Sequence, residues 1–251
     1  MLSWMVIVAA GFLAGCLNAL AGGGTFLTFP ALVWFGLPPV MANATATVAA
    51  LPGYIGAAHA FRASLRAEGA LGLRAYLLVA ALGGVIGALL LLVTPSSVFS
   101  GIVPWMLLLA TVLFAAGPRL VVILRRGDRP GPGRAATLMA MLAVCIYGGY
   151  FNGGLGILLL AAFGLVGFHD LNGMNGLKNL LSAILSLLSV MTFAIGGIVS
   201  WPEALVMSVA ALTGGYAGAW AARHWLSPAA IRWFVIFVGV VMTALFFWKG
   251  A

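Results

Sequence analysis

Two short segments place asparagine and glycine inside otherwise apolar sequence, and a lysine follows the second of them. Asn18 to Thr25 reads N-A-L-A-G-G-G-T, and Asn152 to Ile157 reads N-G-G-L-G-I. Glycine runs interrupt a helix, and the helix that restarts after them presents unpaired N–H groups and a partial positive charge. Such an end is an anion site, above all where the absence of a side chain lets a ligand approach the backbone. The chemistry these segments suggest is the binding of a small oxyanion by two half-helix ends. The candidate binding residues of the first segment are Asn18, Gly22, Gly23, Gly24 and Thr25, with Asn43 and Thr47 shortly after. Those of the second are Asn152, Gly153, Gly154 and Gly156, followed by Asn175, Lys178 and Asn179.

Lys178 is the sharpest single candidate. A long uncharged run follows it, and an ammonium in or near a membrane is costly unless paired, for which a bound anion would serve. The competing reading has Lys178 snorkelling to the interface or pairing with Asp170. Asn172, Asn175 and Asn179 fall on one helical face. Asn18 and Asn152 are read equally as substrate contacts and as caps of broken helices. Asn43, Thr45 and Thr47 can instead bond neighbouring carbonyls. His169 and Asp170 are a candidate proton relay, with a helix cap as the alternative. Glu203 reads as a first-turn acid at an interface, and His59 and His224 as interfacial neighbours of Arg62 and Arg223. Cys16 and Cys145 are isolated and lack a metal or redox spacing, so they read as packing residues, and no metal site is expected.

The elements that hold these groups must be membrane helices. Of 251 residues 64% are hydrophobic and 6% are charged, too few to give a surface mixed charges toward water on every side. The first 61 residues contain no Asp, Glu, Lys or Arg, and further charge-free runs cover Ala75 to Pro118, Ala135 to Phe168, Asn179 to Pro202 and Ala204 to Ala222. A span needs roughly 20 apolar residues. Continuous apolar runs without two-residue alternation favour helices over a barrel. The start, Met1 to Ala21, lacks the basic opening of a cleaved signal and reads as a retained first helix. The net charge of +8 sits in short loops and is explained by positive-inside orientation rather than by nucleic acid, which is not expected as a partner.

The expected organisation is two homologous halves, 1–124 and 135–251, joined by a polar cytoplasmic linker, 125–134, which reads R-R-G-D-R-P-G-P-G-R. Gly22, Gly24 and Asn43 correspond to Gly154, Gly156 and Asn175 at an offset of about 132 residues. Gly83-Gly84-Val85-Ile86-Gly87-Ala88 corresponds to Gly214-Gly215-Tyr216-Ala217-Gly218-Ala219, small-residue faces suited to close helix packing. Thr94-Pro95 and Ser227-Pro228 are read as N-caps with proline at the first helical position, opening the last helix of each half. If the loops carrying Arg62, Arg66 and Arg74, and Arg119, Arg125, Arg126, Arg129 and Arg134, face the cytoplasm, then Arg223 and Arg232 join them only when the second half is upside down. The expected fold is therefore an all-α polytopic membrane protein of inverted repeats. Each half has about five segments, one of them broken or re-entrant, and a parallel four-plus-four arrangement is the alternative. Trp34, Trp105, Trp201, Trp225, Trp233 and Trp248 suit interfacial belts or lipid-facing packing.

The stretch Gly15 to Pro39, G-C-L-N-A-L-A-G-G-G-T-F-L-T-F-P-A-L-V-W-F-G-L-P-P, resembles the opening motif of the sulfite exporter TauE/SafE family of membrane transporters. Gly148 to Gly156 and the run Asn172 to Leu181 look like that family's counterpart segments in the second half. The resemblance covers nearly the whole chain. It implies transport of sulfur-containing anions such as sulfite, sulfoacetate and other organosulfonates across the bacterial inner membrane, by export or by uptake. Leu155 stands opposite Gly23, and Asp170-Leu171 opposite Pro38-Pro39, so the halves are expected to contribute unequally. Backbone amides should dominate in the first half, and Lys178 with asparagines in the second.

A secondary transporter is thus expected, with no cofactor and with H+ or Na+ as the candidate coupling ion, since no nucleotide-binding motif is visible. An anion channel, or a carrier of another oxyanion or a carboxylate, is the alternative. Three isolated histidines and four acids offer little to an intramembrane enzyme. Beyond the substrate and the bilayer, the small-residue helix faces are compatible with a homodimer.

Overall fold

The computed structural model describes residues 2–20, 23–68, 70–125, 132–168, 170–224 and 228–249. Gly22, His169, Trp225, Ser227 and linker residues 126–131, all named above, lie outside the described residues. Ten α-helices and no strand are found among the described residues. Five precede the linker: α1 (Leu2–Leu20), α2 (Thr25–Phe35), α3 (Pro39–Ala60), α4 (Leu73–Val93) and α5 (Ser96–Arg125). Five follow it: α6 (Arg134–Tyr150), α7 (Leu155–Leu165), α8 (Leu171–Ile195), α9 (Trp201–His224) and α10 (Pro228–Lys249).

The two halves each contain one short helix at the same place in their order. The second helix of each, α2 or α7, has 11 residues, about 16 Å at 1.5 Å per residue and roughly half the hydrocarbon thickness. Among the described residues, three stretches are long and apolar enough to cross a membrane: Leu73–Val93, Ser96–Leu113 and Asn172–Ile195. Large apolar side chains stand exposed along the outer helix faces, Leu78, Leu82, Val93, Trp105, Leu205, Val209 and Trp233 among them. That outward apolar surface suits lipid and not water.

Helix packing repeats as well. Where α1 neighbours α9, α6 neighbours α4, and α3–α9 has its counterpart in α8–α4. The pairs α1–α2 and α6–α7, α2–α3 and α7–α8, and α2–α10 and α7–α5 correspond in the same way, while α3–α8 and α5–α10 map onto themselves. Exchanging the halves therefore reproduces these neighbours. The glycine faces read from the sequence lie at the tightest of these crossings. A Cβ on Gly87 would fall 2.2 Å from the Ile146 carbonyl oxygen of α6, and one on Gly214 would fall 1.9 Å from that of Phe12 in α1. Any side chain at either position would push the backbones apart.

Two local expectations change. Thr94 is the C-cap of α4 rather than an N-cap of α5: its N–H bonds Leu91 O at 3.2 Å and its hydroxyl donates to Leu90 O at 2.6 Å. A threonine hydroxyl satisfies the carbonyl four residues back when the preceding turn is helical, and α5 then starts at Ser96. Glu203 does lie in the first turn of α9, but it is 8% exposed and accepts a hydrogen bond from Ser200 Oγ. The Ser200 N–H bonds Thr45 Oγ1 at 3.1 Å. This acid is a helix-end partner inside the packing between α9 and α3.

Candidate functional site

The two broken helices meet at one small cavity. Asn18 and Gly23 border it from the first half, Asn152, Gly154 and Gly156 from the second, with Gly53 and Tyr54 of α3 and Lys178 and Asn179 of α8. Its volume is about 20 Å³, room for about one water molecule.

Glycine is required at the second break by backbone conformation and by space. Gly154 has φ +77°, in the left-handed region, and a Cβ there would fall 2.6 Å from Ala110 Cβ of α5. The helix then restarts with Leu155 N–H on Asn152 O (3.3 Å) and with Ile157 and Leu158 N–H on Gly154 O (3.0 and 3.2 Å). The Gly156 N–H has no acceptor among the described residues. It belongs to the group of helix-start donors that a ligand can satisfy. A Cβ on Gly156 would lie 3.5 Å from Lys178 Cδ and 3.9 Å from Cε, so the lysine stem runs directly over this helix start.

Lys178 is 9% exposed, and its ammonium donates to Asn175 Oδ1 at 3.3 Å. No carboxylate pairs with it among the described residues. Asp170, the alternative partner, instead accepts from the Asn172 and Gly173 N–H groups at 3.0 and 2.9 Å and caps α8. A buried ammonium and a helix N-terminus repel each other, since both are positive. An anion between them relieves that repulsion and gives each a partner.

The first break is arranged differently from the sequence expectation. Asn18 Oδ1 accepts from the Gly23 and Gly24 N–H groups at 3.1 and 2.8 Å. Two of the backbone amides expected to serve a ligand, those of Gly23 and Gly24, are therefore engaged by a carboxamide, which tethers the end of α1 to the start of α2. Gly24 is packed tightly as well: a Cβ there would fall 2.5 Å from Ala14 O. Thr25 opens α2 and is buried.

Asn152 is likewise committed. Its Oδ1 accepts from Tyr54 Oη at 2.8 Å and its Nδ2 donates to Ser186 Oγ at 2.9 Å. This chain joins α3, the second break and α8. Gly153 does not border the cavity; a Cβ there would fall 2.5 Å from Phe151 Cε1, and its carbonyl accepts from Tyr147 Oη at 2.8 Å. Asn43 and Thr47 are buried away from the cavity. Asn43 Nδ2 donates to Tyr150 O at 2.8 Å, and Thr47 Oγ1 donates to Asn43 O at 2.9 Å. Asn43 thus braces the end of α6.

Tyr54, Gly53 and Ser186 were not singled out from the sequence. Pro52-Gly53 in the middle of a long apolar run is a local signal of irregularity, and Tyr54 follows it. Ser182, Ser186 and Ser189 continue the face of Asn172, Asn175 and Asn179 at alternating spacings of three and four. That polar stripe was legible over its whole length.

The family model described as "Sulfite exporter TauE/SafE" matches residues 7–246. A probable membrane transporter protein of Haemophilus influenzae is 29% identical over 244 residues, covering 95% of this chain and 92% of that protein. The probable membrane transporter protein YfcA of Escherichia coli is 29% identical over 245 residues, 95% of this chain and 87% of its own length. The probable membrane transporter protein ORF9 of a Sinorhizobium species is 31% identical over 173 residues, 64% of this chain and 62% of the relative. No solved structure matches. The opening glycine motif, the paired half-helices and a family match over nearly the whole chain lead to one conclusion: the chain belongs to the sulfite exporter TauE/SafE family of membrane transporters.

Proposed function

We propose that this protein is a multi-pass secondary transporter of the bacterial inner membrane that carries small sulfur-containing anions, such as sulfite, sulfoacetate or another organosulfonate. The observation that carries this reading is Lys178, 9% exposed and crossing the start of α7. The anion sits between the lysine ammonium and the Gly156 N–H, with Asn179 at the side. Asn18, Tyr54, Asn152 and Ser186 hold the two helix breaks in place instead of contacting the substrate. The family description supplies the substrate class, and the site supplies the sign of its charge.

A cavity of about 20 Å³ holds a water but not an organosulfonate. The site is thus in a closed state, which favours a carrier that opens alternately to each side over a continuous anion pore. The halves are inverted relative to one another, so that the two openings are related by the exchange of their roles. A proton or sodium gradient drives the movement.

Uptake of 35S-sulfite into proteoliposomes, with sulfoacetate, taurine and sulfate as competitors, tests this function. Saturable uptake inhibited by sulfonates is expected. Ohmic current far above carrier turnover would replace the carrier with a channel, and no uptake of any sulfur anion would remove the substrate assignment.

A further inference from the structure

The neighbour pattern is symmetric in kind but not in extent. α5 packs against α7 more extensively than α10 packs against α2, although exchange of the halves makes these the same contact. In the second half the contact is close, with Ala110 of α5 against Gly154 at the helix break. In the first half Gly22, the counterpart of Gly154, lies outside the described residues, and farther along α2 an apolar groove of about 560 Å³ runs between α1, α2 and α10. Val6 and Ala10 line it from α1, Leu27 and Ala31 from α2, and Met242 and Leu245 from α10. The groove opens on the outer apolar face, where Leu13, Trp34 and Leu245 are exposed.

Two further contacts show how α10 is attached. α10 crosses α5 at Gly239, where a Cβ would fall 2.5 Å from Thr111 Oγ1. The Gly239 backbone thus lies directly against the Thr111 side chain. Toward the site, Phe246 of α10 stacks on Phe29 of α2, with ring centroids 5.5 Å apart and planes at 22°. Phe29 in turn meets Phe151 edge-on at 5.7 Å, and Phe151 directly precedes Asn152 in the cavity wall. Two aromatic contacts thus link α10 to the second helix break.

We propose that α5 and α10 form a rocking pair, and that the groove is the space α10 occupies in the other state. In the structure described, α5 lies close over α7, while α10 meets α2 through the Phe246–Phe29 stack and leaves the groove beside it open. In the alternate state α10 fills the groove against α2 while α5 lifts from α7, exchanging the packing of the two halves. The direction of opening rests on the inversion proposed above. The groove's occupant is then α10 itself, and not a lipid chain or a second protein copy.

The test uses Ala31→Cys with Leu245→Cys, on opposite walls of the groove, in a chain carrying Cys16→Ala and Cys145→Ala. Oxidation during 35S-sulfite transport is expected to join the pair and lower uptake at least about 10-fold, since trapping one state stops the cycle. Reductant should restore the rate. A second variant, Ala10→Trp, fills the groove without a crosslink; it should bind sulfite as the parent does and transport it at least about 10-fold more slowly. The proposal is overturned if each cysteine is reactive alone but the pair never joins, if the joined protein transports normally, or if Ala10→Trp keeps full uptake. A phospholipid that stays in the groove throughout turnover also overturns it. Inversion fails separately, through the sidedness of labels at Ser97 and Ser227, and the anion site fails separately, through loss of sulfite binding in the parent.

Discussion

The least replaceable side chain in this account is Lys178. Removing an ammonium that hydrogen-bonds an anion costs about 1.5–3 kcal/mol, so Lys178→Ala is expected to weaken sulfite binding at least about 10-fold. Binding measured by scintillation proximity on purified protein checks this, and an unchanged affinity would mean that Lys178 only bonds Asn175. Asn18 should behave oppositely. Because its carboxamide accepts from two glycine amides, Asn18→Ala should cost about 1 kcal/mol of stability, as loss of a helix cap does. A lowered thermal unfolding midpoint, with binding affinity preserved in the folded fraction, is the expected result. The sequence left Asn18 balanced between ligand and cap, because an asparagine before glycines has the same chemistry in both roles. Geometry favours the cap. Tyr54 was missed for a related reason: a tyrosine among apolar residues reads as packing, and only folding brings its hydroxyl to Asn152, 98 residues away.

At the scale of elements, the glycine breaks were legible because few other residues end a helix inside apolar sequence. The short α2 and α7 followed from those breaks. The unequal use of the two breaks was legible only as a difference in composition, and its form was not. Gly23 and Gly24 look more open than Leu155 and Gly156 in sequence, yet their amides are engaged and that of Gly156 is not. Which amide remains free depends on where the Asn18 side chain folds back, a tertiary fact. The second break should also be the less tolerant of a side chain. Gly154→Ala meets both a left-handed φ and the Ala110 contact, and is expected to cost at least about 1–2 kcal/mol. A thermal unfolding midpoint lowered well beyond that of Gly53→Ala checks this, since a Cβ on Gly53 meets nothing within 4 Å.

Across the whole molecule, composition alone pointed to the bilayer as solvent, and offsets near 132 residues pointed to a repeat. The exchange of neighbours between halves was not readable, because periodicity reports which helix face is buried and not which helix covers it. The orientation of the halves rests on loop arginines. Cysteines placed at Ser97 and Ser227 should label from opposite sides of the membrane, and labelling from one side would establish parallel halves. The central claim is narrower, that a sulfur anion binds between Lys178 and the start of α7. The most direct measurement is a structure determined with sulfite bound. The account predicts density for the anion within hydrogen-bonding distance of both Lys178 Nζ and the Gly156 N–H. Density at the Asn18 side of the first break, or beside Asn43 and Thr47, with Lys178 turned away, would contradict it.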